Sequence, residues 1–214
     1  MSEPVTIKRG TEIELEIESL AYGGMGLARI ENFVIFVKYA IPGQKVLARI
    51  YKKRKGYAEA QVLETLVESP KAVDVCCKHY WICSKIQSLS YDEQIKEKSS
   101  QVEDAFVRLG GFLNFKLDKV QKANLIYYYR NKMEFTFSPN RWVLESEPEG
   151  VDKSFALGLH IPGRFDKILD IHNCHIQPEI GNKILAAARE VCLANPELKP
   201  YDPRSHIGFL RFLM

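Results

Sequence analysis

The chain has 214 residues, 46% hydrophobic and 27% charged, with 30 basic side chains against 27 acidic ones and a net charge of +3. This is the composition of an ordinary soluble globular protein and excludes wholesale disorder. No apolar run approaches the ~20 residues of a membrane helix, and Met1-Ser2-Glu3-Pro4 does not begin a secretory signal, so a cytoplasmic protein without membrane contact is expected.

In chain order, Thr11 to Glu18 alternates apolar and acidic residues with period two, which predicts a strand with one buried face. Tyr22-Gly-Gly-Met-Gly26 breaks that pattern with a turn. Phe33 to Val37 reads as a short, almost wholly buried strand, and Ile41-Pro-Gly-Gln44 as a turn. Val46 to Tyr51 and Tyr57 to Leu66 are two further strands joined by a loop, Lys52 to Gly56. Five short strands in so little chain predict a closed barrel of the OB type over residues 1–68. Ser69-Pro70 marks a boundary, and residues 69–214 are expected to form a mixed α/β domain, giving an α+β chain overall. Tyr91 to Leu109 predicts a helix with Ile95, Val102, Phe106 and Leu109 on one stripe, closed by Gly110-Gly111. Strands are expected at Tyr127–Phe137, Phe155–Ile161 and Lys167–Ile171. A second helix, Pro178 to Asn195, has Ile180, Ile184, Ala187, Ala188 and Val191 on one face, and His206 to Met214 is strand-like to its last residue.

Three groups of residues carry chemistry. Between Phe33 and Leu63 stand seven basic residues (Lys38, Lys45, Arg49, Lys52, Lys53, Arg54 and Lys55) and one acid, Glu59, whereas Glu12, Glu14, Glu16 and Glu18 line the first strand. One face of the barrel is therefore expected to be basic. Lys52-Lys-Arg-Lys55 suits phosphate contact, with Tyr51 and Tyr57 as stacking faces for unpaired bases. A solvated hairpin tip would need the same charges. The five cysteines are an odd number, which speaks against a disulfide framework. Cys76, Cys77, Cys83 and the distant Cys174 read either as thiolates for zinc or iron–sulfur or as small buried hydrophobes. In Tyr127-Tyr-Tyr-Arg-Asn-Lys-Met-Glu-Phe135, Arg130 and Lys132 would share one side of a strand and hold phosphate beside aromatic rings; an ordinary sheet strand with one wet face reads the same. The glycine turn is no P-loop, the five histidines have no metal-ligand spacing, and no self-sufficient active site is visible.

Taken together these segments resemble the RNA uracil-5-methyltransferase family, which makes 5-methyluridine in ribosomal and transfer RNA. Ala21-Tyr-Gly-Gly-Met-Gly-Leu-Ala28, Val34-Ile-Phe-Val37, Ala40-Ile-Pro-Gly-Gln-Lys-Val46 and Tyr57-Ala58 resemble its N-terminal TRAM domain. Cys77-Lys-His-Tyr and Ile86 to Lys98 resemble the cluster-binding region and the helix after it; Tyr129-Arg-Asn-Lys132, the surroundings of Cys174 and Gly208-Phe-Leu-Arg211 resemble the central domain. The resemblance implies a 4Fe–4S cluster on Cys77, Cys83 and Cys174, although the family's Gly-Gly-Cys after the second cysteine is replaced here by Ser84-Lys85-Ile86-Gln87. It also implies a C-terminal domain that binds S-adenosylmethionine and supplies the catalytic cysteine and base. No segment of this chain matches that domain, so no catalytic residue is assigned. The expectation is an N-terminal RNA-binding portion, inactive alone, with a truncated central domain and a separate or missing methyltransferase domain. Ribosomal RNA is the expected partner, contacted by Lys52, Lys53, Arg54, Lys55, Arg130 and Lys132. The alternative is a stand-alone TRAM-type RNA-binding module.

Overall fold

The computed structural model describes residues 7–144 and 146–214; the reading of Met1 to Pro4 lies outside the described residues. The chain divides into two compact units, one running to Lys122 and the other beginning at Ala123. The boundary expected after residue 68 falls inside the first unit.

The first unit is built on strands β1 (Glu12–Glu16), β2 (Ser19–Ala21), β3 (Met25–Ile30), β4 (Phe33–Lys38), β5 (Lys45–Lys53) and β6 (Tyr57–Val67). Their order in the sheet is β1-β5-β6-β4-β3-β2. Strands β4 and β6 pair in parallel; the other neighbours are antiparallel. The alternating acidic strand is present but bent. Ile17 donates its N–H to the Gln44 carbonyl and Glu18 to the Leu27 carbonyl, both at 2.9 Å. On one side of the bend β1 pairs with β5, and on the other β2 pairs with β3. One continuous stretch thus occupies both edges of the sheet and curls it into an OB-type barrel, so five strands are counted as six segments.

Inside sit Leu15, Ile17, Ile35, Val37, Val46 and Ile50, with Ala28, Ala48, Ala58 and Ala60 between them. The four alanines keep the interior small enough for the sheet to curl tightly. Gly26 sits where the bend crosses β3: a Cβ there would stand 2.9 Å from Ile17 Cγ2 and 3.0 Å from the Ala40 carbonyl oxygen. Only glycine admits that approach.

Beyond the barrel, Leu89 and Ile86 pack on Leu20 and Ile41 as a second small core. The short helix α1 (Tyr80–Cys83) is followed by α2 (Tyr91–Asp104), which widens into a π-helical turn over Ala105–Leu109. Gly111, at φ +72°, supplies the left-handed residue after it. The stripe on this helix is less covered than the sequence predicts: no residue of α2 is buried, and Val102, Phe106 and Leu109 are exposed. Two polar contacts hold α2 to the barrel. The Leu20 N–H donates to Glu97 at 3.0 Å, and Gln101 Nε2 donates to the Leu20 carbonyl at 3.1 Å.

The second unit has strands β7 (Phe135–Ser138), β8 (Arg141–Trp142), β9 (Ala156–His160), β10 (Ile168–Asp170) and β11 (Phe212–Leu213) in the order β11-β7-β9-β10-β8, with helix α3 (Glu179–Ala194). Two expectations are corrected here. The strand expected at Tyr127–Phe137 starts only at Phe135. Tyr128 lies in the left-handed region at φ +57°, which a ladder does not accept. Tyr128 and Arg130 donate their N–H groups to the carbonyls of His175 and Ile176, each at 2.8 Å. The expected inner face of α3 is also the wrong one. Ile180, Ile184 and Val191 are exposed, and Leu185 and Arg189 are buried. The side-chain Nη1 of Arg189 bonds Asp170 Oδ1 at 2.7 Å, while its Nη2 donates to the carbonyls of Ile171 at 2.8 Å and Leu157 at 3.2 Å. A buried cation on this turn fixes the helix to the sheet and turns its aliphatic stripe outward. Among the described residues no helix is long and apolar enough to cross a membrane.

Removing one partner of such a buried pair costs about 3–5 kcal/mol. Arg189→Ala is therefore expected to lower the free energy of urea unfolding by that amount. Ile184→Ser, on the exposed stripe, should change it by less than about 0.5 kcal/mol.

Candidate nucleic-acid interface

The hairpin between β5 and β6 carries the basic run. Lys52 and Lys53 belong to β5 itself, and the turn is limited to Arg54, Lys55 and Gly56. It is closed by the Arg54 N–H donating to the Tyr57 carbonyl at 2.8 Å. The four cations of this run do not share one fate. Lys52 is paired with Glu59 on the neighbouring strand. The Tyr51 hydroxyl donates to the same carboxylate at 2.8 Å. These two hydrogen bonds, Lys52's being the stronger influence, hold the Glu59 carboxyl below the usual carboxylate range. Burial first, and the Glu59 contact second, raise the Tyr51 hydroxyl well above its ordinary value. Lys53 lies over the Phe33 ring, 5.4 Å from its centroid, while Arg54 and Lys55 are exposed.

Elsewhere on the barrel the register settles the charges. Glu12 lies opposite Arg49 and Glu16 opposite Lys45 across β1 and β5. Arg49 bonds Glu12 at 2.6 Å and Lys45 bonds Glu14 at 2.7 Å; Arg29 is paired with Glu18. The hydrogen bond to Glu14 holds the Lys45 ammonium above its ordinary value. Among the described residues, Lys53, Arg54 and Lys55 have no acidic partner within 4.0 Å. Lys38 is a cation that the motif-based reading leaves out of the site. It stands at the end of β4, its Nζ 4.5 Å from the centroid of the Tyr51 ring. Its place two residues after Phe36 on an alternating strand is the signal for an outward side chain.

In the second unit Arg130 and Lys132 are exposed on the irregular segment before β7. The shared strand face expected for them does not exist, because that segment is no strand.

The cysteines do not fit the implied cluster. The Cys76 N–H donates to Gln87 Oε1 at 2.9 Å, and both neighbouring thiols lie beside the same amide. Burial, and then the adjacent Cys76, push the Cys77 thiol up to about 11. Cys83 is exposed at the end of α1; Cys174 belongs to the second unit, where it is buried and its N–H donates to Asn182 Oδ1 at 2.9 Å. Among the described residues no three His, Cys, Asp or Glu side chains are grouped to hold a metal.

Residues 7–63 match the TRAM domain. A protein of Porphyromonas gingivalis described as an uncharacterized RNA methyltransferase is 37% identical over 209 residues, 94% of this chain and 45% of its own length. One of Bacteroides thetaiotaomicron with the same description is 39% identical over 200 residues, 91% of this chain and 44% of its own length. The chain belongs to the RNA methyltransferase family. It spans less than half the length of these relatives. Among solved structures, the Pyrococcus abyssi tRNA (uracil-54, C5)-methyltransferase in complex with S-adenosyl-L-homocysteine matches 93% of this methyltransferase-family chain and 41% of its own, with a TM-score of 0.61 at 18% identity. That likeness shows a shared fold.

Because Glu59 binds a proton less readily when folded, its contribution to stability is present above the unfolded carboxylate value of about 4.3 and is lost as pH falls through the folded one. The unfolding midpoint measured across this acid range should decline with falling pH, and Glu59→Gln should remove part of that decline.

Proposed function

We propose that this chain is the RNA-gripping portion of an S-adenosylmethionine-dependent RNA methyltransferase that acts on C5 of uracil. Membership of the RNA methyltransferase family supports the reaction class, and the resemblance of the sequence to the uracil-5 enzymes supports the target atom. The Pyrococcus abyssi neighbour was solved with S-adenosyl-L-homocysteine, the demethylated form of the proposed methyl donor. The groups that carry out methyl transfer are placed in the part of the relatives that this chain does not cover. Ribosomal RNA is the proposed substrate class and the cytoplasm the proposed compartment. No cluster is included in this reading.

The observation that carries the proposal is the charge sorting on the barrel. The cations near the glutamate strand are neutralised, while Lys53, Arg54 and Lys55 at the β5–β6 hairpin have no acidic partner among the described residues. Cations left open in this way bind a phosphate backbone by releasing its counterions. Lys52 joins them with a smaller share, since binding must compete with Glu59. Arg130 and Lys132 are the proposed contacts of the second unit.

Affinity for single-stranded RNA measured against salt tests this. Replacing Lys53, Arg54 and Lys55 together by alanine should weaken binding to RNA of any sequence. It should also reduce the salt slope by roughly 2, at about 0.7 for each phosphate of a single strand that is no longer neutralised. Unchanged affinity with an unchanged slope would mean that the hairpin tip is only solvated.

A further inference from the structure

Helix α3 turns its apolar side away from the core it packs on. Leu185 and Arg189 are buried. Ile180, Ile184 and Val191 are 62%, 53% and 57% exposed, and Ala187 and Ala194 are exposed beside them. These five residues follow one another at steps of four, three, four and three. That is the spacing of a coiled-coil seam, in which each apolar side chain is received between residues of a second helix. A surface helix ordinarily gives its outer side to polar residues, so an aliphatic seam there calls for a second helix.

The flanks of the seam identify that helix. Lys183 and Glu190 lie on one flank, seven residues and so about 10 Å apart along the axis. Both are exposed, and among the described residues neither forms an ion pair. Gly181 and Ala188, also seven apart, lie on the other flank and are too small to hold a partner away. When two copies of this helix run antiparallel with Ile184 of one against Ala187 of the other, Ile180 meets Val191 and Lys183 meets Glu190. A two-fold axis relates the copies, so each of these contacts occurs twice. In a parallel pair the residues across from Lys183 and Glu190 are Ala188 and Asn195, and neither charge is answered.

We propose that the outer side of α3 is a self-association surface, on which a second copy of this chain docks antiparallel through its own α3. The proposal does not depend on what the barrel binds. A helix of 16 residues is about 24 Å long, and one such pair buries less than the roughly 1,200 Å² at which stable interfaces begin. Association is therefore weak. At the low chain concentrations of a urea experiment the monomer prevails, so Ile184→Ser is silent there and acts only when the chain is concentrated.

Sedimentation of the full chain from about 10 µM to about 1 mM tests this. The average mass is expected to rise with concentration from that of one chain toward that of two. Ile184→Ser should weaken association by about tenfold or more, because each substitution acts twice in the pair. Lys183→Glu and Glu190→Lys each place like charges together at both sites and should weaken it by about tenfold. Mixed in equal amounts, these two variants should pair with each other as strongly as the parent does with itself, and the chain carrying both substitutions should recover self-association. Unfolding midpoints of dilute samples show which variants remain folded, and the exposed charge variants carry the test if Ile184→Ser does not fold. A chain that stays monomeric over the whole range, association that a folded Ile184→Ser leaves intact, or charge variants that fail to pair when mixed would overturn the proposal.

Discussion

The placement of charge on this barrel follows from one stretch of chain, Glu12 to Ala21, that pairs with both edges of the sheet. Its bend at Ile17 and Glu18 closes the barrel, and its register sets Glu12 against Arg49 and Glu16 against Lys45. Closure and neutralisation are therefore one event. Such exposed pairs add little to stability, typically less than about 1 kcal/mol each. What they do is remove cations from the pool available to a polyanion, on one side of the barrel only. The cations furthest along the β5–β6 hairpin are beyond their reach.

The same bend explains why small residues recur where they do. Gly26 and the inward alanines are needed because β3 and the bend come close together around a narrow interior. Leu27, Val34 and Phe36 alternate along β3 and β4 with the inward Ala28, Ile35 and Val37, and so lie on the outer face. A barrel this small has an inside too narrow to bind anything, so recognition falls to its outer surface and its loops.

Much of the first unit was legible in the sequence, because a strand with one buried face writes itself as alternation. The glutamates at every second position from Glu12 to Glu18, and the turns at Gly23-Gly24 and Pro42-Gly43, are unambiguous signals. The charge pairing was not legible, since it depends on which strands lie side by side. The sequence grouped Lys52 to Lys55 as one run, and the pairing of β5 with β6 sets Lys52 against Glu59 and apart from the other three. In the second unit, periodicity misled. The aliphatic stripe of α3 looked like the inner face, but Arg189 lies inside because Asp170 and two carbonyls receive it there. The aromatic run at Tyr127 to Tyr129 has high strand propensity, and hydrogen bonds to His175 and Ile176 overrode it. The family resemblance implied a ligand set beginning at Cys77, yet that thiol lies beside the Gln87 side-chain amide.

The central claim is that RNA meets the barrel at the open cations of the β5–β6 hairpin and not on the glutamate side. Amide chemical shifts followed while single-stranded RNA is titrated into the chain test it most directly. The account predicts that the shifts concentrate at Lys53 to Tyr57, while Glu12 to Glu16 and Lys45 to Arg49 stay still. Shifts concentrated instead on Glu12 to Glu16 and Lys45 to Arg49, with the hairpin silent, would contradict it.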